Sequence, residues 1–175
     1  MSDTRFKETI KIIFTNQTGR HSWIRVLAVF IAIVAFILGA LWIDHIALLG
    51  FVIAFTYFDL VGYEGLPAEE KAKYPNPSFV VQSYRVDQGM FQASLIPIMM
   101  MGFDVFMVIR FLLLHFTGVN DLLYRIIGSY PMPMDEVITW KRWTILGWFK
   151  HPLKRWQCVI QAIVGIAIVV ATLII

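Results

Sequence analysis

Trp23 and Trp42 bracket an apolar stretch, Val26 to Ile43, that holds no charged side chain. The distance from one indole to the other is about 28 Å as a helix at ~1.5 Å per residue, close to the ~30 Å hydrocarbon core of a bilayer. Indole rings favour the headgroup boundary, where an apolar body and a polar N–H both find partners. Arg20 and Arg25 flank the first ring. The stretch predicts a transmembrane helix. With lipid as solvent, every backbone polar group must be satisfied within the chain, which predicts an all-α integral membrane fold.

The rest of the composition agrees with that solvent. Apolar residues make up 58% of the chain and charged ones only 15%, with a mean hydropathy of +0.69. Soluble domains carry roughly 25% charged residues. A net charge of +3, dispersed along the chain, argues against nucleic acid and fits a surface lying on anionic lipid. The single cysteine, Cys158, excludes an internal disulfide framework and a four-cysteine zinc site, and reads as a small packing residue.

Four apolar segments are expected to be helical, at 26–43, 46–61, 93–114 and 159–175. They make three or four true spans of one polytopic domain, 23–175. Only Asp44 and His45 separate the first two. One helix through both would be ~54 Å long, so the chain must turn at this pair. Ala28, Ala32, Ala35 and Gly39 form a small-residue stripe on the first segment, and Ala47, Gly50 and Ala54 form another on the second. Helices in lipid associate by close approach over small residues, so the stripes predict a hairpin contact or an oligomer seam. Ahead of them, residues 1–22 place Phe6, Ile10, Ile13 and Phe14 at helical spacing among Arg5, Lys7, Glu8 and Lys11, which predicts an amphipathic interfacial helix. No cleavable signal is evident there, and Asn16-Gln17-Thr18 reads as a chance sequon on the cytoplasmic side.

Topology sets two rules against each other. Apart from Arg110, Lys and Arg fall before or at Arg25, between 62 and 92, and between 115 and 157. Four spans put the last group outside, against the positive-inside rule; three spans leave the second segment re-entrant or interfacial. Charge favours three spans, segment length favours four.

The long loop 119–157 is interfacial in character. Asn120 or Asp121 is expected to cap a short amphipathic helix through Leu122, Leu123, Ile126 and Ile127, stopped by Gly128. Beyond Pro131-Met132-Pro133, Trp140, Trp143, Trp148 and Trp156 interleave with Lys141, Arg142, Lys150, Lys154 and Arg155. Together with Trp23 and Trp42, these residues are the expected contacts with the headgroup layer, anionic lipids included.

Asp104 stands in the middle of the third segment, where an exposed charge costs about 2.5–3.5 kcal/mol on insertion scales. On a continuous helix His115 lands ~20° from it around the axis, so the two share a face. The pair reads either as a polar helix contact or as a proton or ion relay, and the helix contact is favoured. Asp59, near the end of the second segment, reads as interfacial. No metal motif, haem ligand pattern, phosphate loop or nucleophile elbow is present, so no cofactor, metal or catalytic residue is expected. The resulting expectation is a non-catalytic subunit of a larger membrane assembly, such as a secretion or conjugation machine, partnered by other subunits or its own copies. It sits in a bacterial inner membrane with its N-terminus cytoplasmic. The alternative is a proton- or ion-coupled transporter or channel subunit using Asp104.

Overall fold

Among the described residues every long element is a helix, and the helix directions bring most of the charged side chains to one end. The computed structural model describes residues 22–41, 44–66, 69, 79–138 and 144–174. Residues 1–21, with the amphipathic helix expected there, and Trp42, Trp140, Lys141, Arg142 and Trp143 lie outside the described residues. The elements are α1 (Trp23–Leu41), α2 (Asp44–Glu64), α3 (Phe79–Gly102), α4 (Val105–Phe116), α5 (Val119–Gly128), β1 (Val137–Ile138), α6 (Ile145–Phe149), β2 (Leu153–Lys154) and α7 (Arg155–Ile174).

His45–Glu64 and Arg155–Leu173 are long and apolar enough to cross a bilayer, and α4 with α5, bent 67° apart, make a third candidate if taken as one broken span. The apolar part of α1, Trp23–Gly39, is shorter. The membrane class is thus supported by two or three helices of spanning length, and four such helices are not found among the described residues.

α1 and α2 form an antiparallel hairpin. Ala28, Ala32 and Ala35 are buried, while Trp23, Leu27, Phe30, Ile33 and Ile37 are exposed on the other face of α1. A Cβ on Gly39 would fall 2.5 Å from Ala47 Cβ and 2.8 Å from Ala47 N, so only glycine allows this approach. Gly50 lies under the Phe36 ring, and Ala54 is half-buried.

The third apolar segment departs from expectation. It is not one helix over 93–114: α3 ends at Gly102, Phe103 and Asp104 leave helical geometry, and α4 starts at Val105. The cause is local. Asp104 adopts an extended backbone (φ −150°, ψ 174°), and its Oδ1 accepts from Met107 N at 2.7 Å. A carboxylate that caps a new helix satisfies a free N–H that a continuing helix would not offer. The chain therefore reverses here. α3 runs from Tyr84, beside Gly62, to Phe103, beside Phe51, and α4 returns so that Phe111 and His115 meet Phe55.

Gly118 (φ 81°) links α4 to α5, a left-handed position that suits glycine. It is also the N-cap of α5, in place of the expected Asn120 or Asp121, because Asn120 is buried and bonded to His115. The helix ends near Gly128 as expected, but Ser129 (φ 57°) is the left-handed residue. α7 then runs antiparallel to α4: Gln161 Nε2 donates to Phe116 O at 2.9 Å, and Arg110 Nη2 donates to Thr172 O at 2.7 Å. The core lies where these helices meet, around Phe55, Met99, Met107, Phe111 and Ala162.

Followed from element to element, Arg25, Glu64, Tyr84 and Tyr130 all sit at one end of the bundle. Arg155, Glu136 and the ladder pairing Val137 with Lys154 lie there too, joined to α5 through Arg125. Arg85 belongs to the same end, while Arg110, bonded to Thr172, lies away from it. The reversal at Asp104, which a four-segment reading lacks, brings the described charged residues of α2, α3 and α5 together.

Candidate functional site

At the charged end, α2, α3, α4 and α5 enclose a cavity of about 530 Å³. Its wall includes Asp59, Tyr84, Gln88, His115, Asp121 and Arg125. Helical spacing explains the set. Tyr84, Arg85, Gln88 and Gln92 recur along one side of the polar first half of α3, and Asp121, Tyr124 and Arg125 do so on α5. Asp59 and Tyr63 are one turn apart on α2.

Asp59 is the centre of this arrangement. Tyr84 Oη donates to its Oδ1 and lies 2.9 Å from its main-chain oxygen, while Gln88 Nε2 donates to Oδ1 at 2.9 Å. Among the described residues no hydrogen bond falls on Oδ2. His115 comes from the far end of α4, edge-on to Phe55 with ring centroids 5.3 Å apart. Asn120 Nδ2 lies 3.1 Å from His115 Nδ1. With the amide as donor, Nδ1 accepts and Nε2 carries the ring proton. Inward of these groups the bundle is apolar: Phe58 stacks on Phe91 at 4.2 Å, and Phe91 stacks in turn on Phe55.

A second polar cluster supports one wall. Arg25 Nη1 and Nη2 donate to Glu64 Oε2 and Oε1 at 2.8 and 2.5 Å. Tyr130 Oη donates to Glu64 Oε1 at 2.8 Å, and Tyr57 Oη donates to Arg25 O at 2.6 Å. Tyr124 stacks on Tyr130 at 5.1 Å, so the ion pair and the cavity share a wall. Burial pushes the Tyr130 phenol above its ordinary range, which keeps it a neutral donor to Glu64.

The fold separates two residues that the sequence pattern put on one face. Asp104 and His115 stand at opposite ends of α4, eleven residues or about 16 Å apart. Asp104 is exposed and lines no part of the cavity, whereas His115 does. Asp59, read as interfacial, is half-buried with three polar contacts. Trp23, Trp148, Trp156 and Lys154 are exposed. Arg155 is a correction: it is buried, and its guanidinium donates to Glu136 Oε2 from both Nε and Nη2. It closes the β1–β2 ladder instead of facing lipid. α6 is held by Gln161, whose Oε1 accepts from Leu146 N at 2.9 Å.

Sequence reasoning missed the cavity and the Arg25–Glu64 pair. The available signal was tyrosine: five of the chain's six, Tyr57, Tyr63, Tyr84, Tyr124 and Tyr130, converge at this end. In a membrane protein such residues read first as an outward aromatic belt. The geometry of Asp104 also yields an expected result. Asp104→Asn keeps a good N-cap and should leave thermal stability in detergent within ~0.5 kcal/mol, while Asp104→Ala should lose about 1 kcal/mol. Equal loss in both variants would show that the carboxylate acts through its charge.

No family model matches this chain, and no curated protein or solved structure is found to be similar to it.

Proposed function

We propose that the chain is a non-catalytic subunit of a larger membrane assembly, such as a secretion or conjugation machine or another multi-subunit complex. It lies in a bacterial inner membrane with its N-terminus cytoplasmic. The observation that carries this reading is the asymmetry of the bundle. Among the described residues, Arg25, Arg85, Arg125, Lys154 and Arg155 gather at one end, while Arg110 stands apart from it. By the positive-inside rule that end is cytoplasmic. There the chain is stiffened by two Arg–Glu pairs, Arg25–Glu64 and Arg155–Glu136, and by the β1–β2 ladder. A rigid charged face beneath a small apolar bundle suits docking to other subunits and to anionic lipid.

Around the bundle, α1 and α7 carry broad apolar faces, with Phe30 62% and Ile163 56% exposed. Such faces meet lipid chains, partner helices or further copies of the chain. Transport through Asp104 finds less support, because that carboxylate caps α4 and stands apart from the cavity.

Purification of the tagged, full-length chain in mild detergent, followed by mass spectrometry, tests the reading. A defined set of membrane proteins in fixed ratio is the expected result. A lone monomer that supports proton-coupled flux in proteoliposomes would overturn it.

A further inference from the structure

The cavity at the charged end balances opposite charges in one chamber. Asp59 and Asp121 line it with Arg85 and Arg125, and Tyr63, Tyr84, Tyr124 and Tyr130 supply rings and hydroxyls. A simple anion would meet two carboxylates, and a simple cation would meet two guanidinium groups. A ligand carrying both charges meets groups of opposite sign in both sets. We propose that the cavity binds the zwitterionic headgroup of a phospholipid, an aminoalkyl phosphate with its ammonium at Asp59 and its phosphate toward Arg85 and Arg125.

Size, chemistry and position agree. At about 530 Å³ the cavity falls within the roughly 300–1,000 Å³ range of small-ligand sites. Both side-chain donors to the Asp59 carboxylate, Tyr84 and Gln88, use Oδ1. Oδ2 is left for an ammonium, whose remaining face is suited to tyrosine rings. Guanidinium groups match phosphate geometry. The cavity lies at the charged end, which the positive-inside rule assigns to the cytoplasmic headgroup layer. Val86 and Met90 on α3 and Ile126 on α5 are exposed on other faces of the helices that form the cavity. Apolar faces beside the site suit acyl chains and favour a lipid over a free aminoalkyl phosphate. The assignment is independent of whether the chain has partner subunits.

The test titrates the delipidated full-length protein in detergent and counts bound molecules by native mass spectrometry. The probes are dioleoylphosphatidylethanolamine, dioleoylphosphatidylglycerol and free phosphoethanolamine. The ethanolamine lipid is expected to bind roughly tenfold more tightly than the glycerol lipid, the scale of one charge-assisted hydrogen bond. Asp59→Asn retains the Oδ1 acceptor for Tyr84 and Gln88, and should abolish that preference. Arg85→Gln, at an exposed position, should weaken both lipids, while Asp104→Asn, outside the cavity, should change neither. Equal binding of the two lipids by the unaltered protein would overturn the proposal, as would a preference that survives both cavity substitutions. Phosphoethanolamine binding as tightly as its lipid would overturn the lipid assignment in favour of a soluble ligand.

Discussion

Replacing Glu64 with Leu is expected to destabilise the fold by about 3–5 kcal/mol, the cost of breaking a buried ion pair from one side. The Arg25 guanidinium is fully buried, and Glu64 is only 11% exposed. Two parallel N–H···O bonds join them across 39 residues, and Tyr130 adds a third bond to the same carboxylate. Removing the carboxylate strips a buried cation of its bidentate partner without returning it to water. Glu64→Gln, which keeps one acceptor, should lose less. Removing both charges, by Arg25→Leu with Glu64→Leu, should recover much of the loss, because no buried charge is then stranded. Thermal unfolding in detergent, followed by circular dichroism, reads all three variants. A double variant as unstable as Glu64→Leu alone would show that the pair contributes through more than its mutual compensation.

Gly39→Leu should disrupt the α1–α2 hairpin. The site leaves no space for a Cβ, and the nearest atoms are backbone and Cβ of Ala47, which cannot swing away as a side-chain tip would. The helices must separate, and the small-residue contact along Ala28, Ala32 and Ala35 loosens with them. Overpacking of this kind costs typically about 1–3 kcal/mol. Gly89→Leu is the control, because nothing lies within 4 Å of its Cβ position. Equal effects at the two glycines would remove the close approach as the cause.

The contrast between these sites explains what was legible in the sequence. The hairpin was legible because its signals are local: a polar pair, Asp44-His45, between two apolar runs, and small residues at helical spacing. The amphipathic helix after Thr117 was legible for the same reason. The reversal at Asp104 was not. A lone carboxylate in an apolar run reads equally as a buried contact or as a cap, and only the packing of Phe103 on Phe51 distinguishes them. Once that turn is placed, the described charged residues of α2, α3 and α5 meet at one end. The cavity was hidden for a further reason. Asp59, Tyr84, His115 and Asp121 come from four helices, and no spacing within any one helix reveals their convergence. Arg25 illustrates the same limit: its place beside Trp23 suggests a headgroup anchor, yet its partner lies 39 positions away.

Labelling from the outer side tests most directly whether every charged connection lies on one side of the membrane. Cys158→Ser removes the native thiol, and single cysteines are then placed at His45, Ser129 and Lys150, all exposed positions. In intact cells an impermeant maleimide should label position 45, at the α1–α2 turn, and should reach 129 and 150 only after the membrane is opened. Labelling of position 129 or 150 in intact cells, with position 45 protected or not, would contradict a one-sided arrangement of the charge.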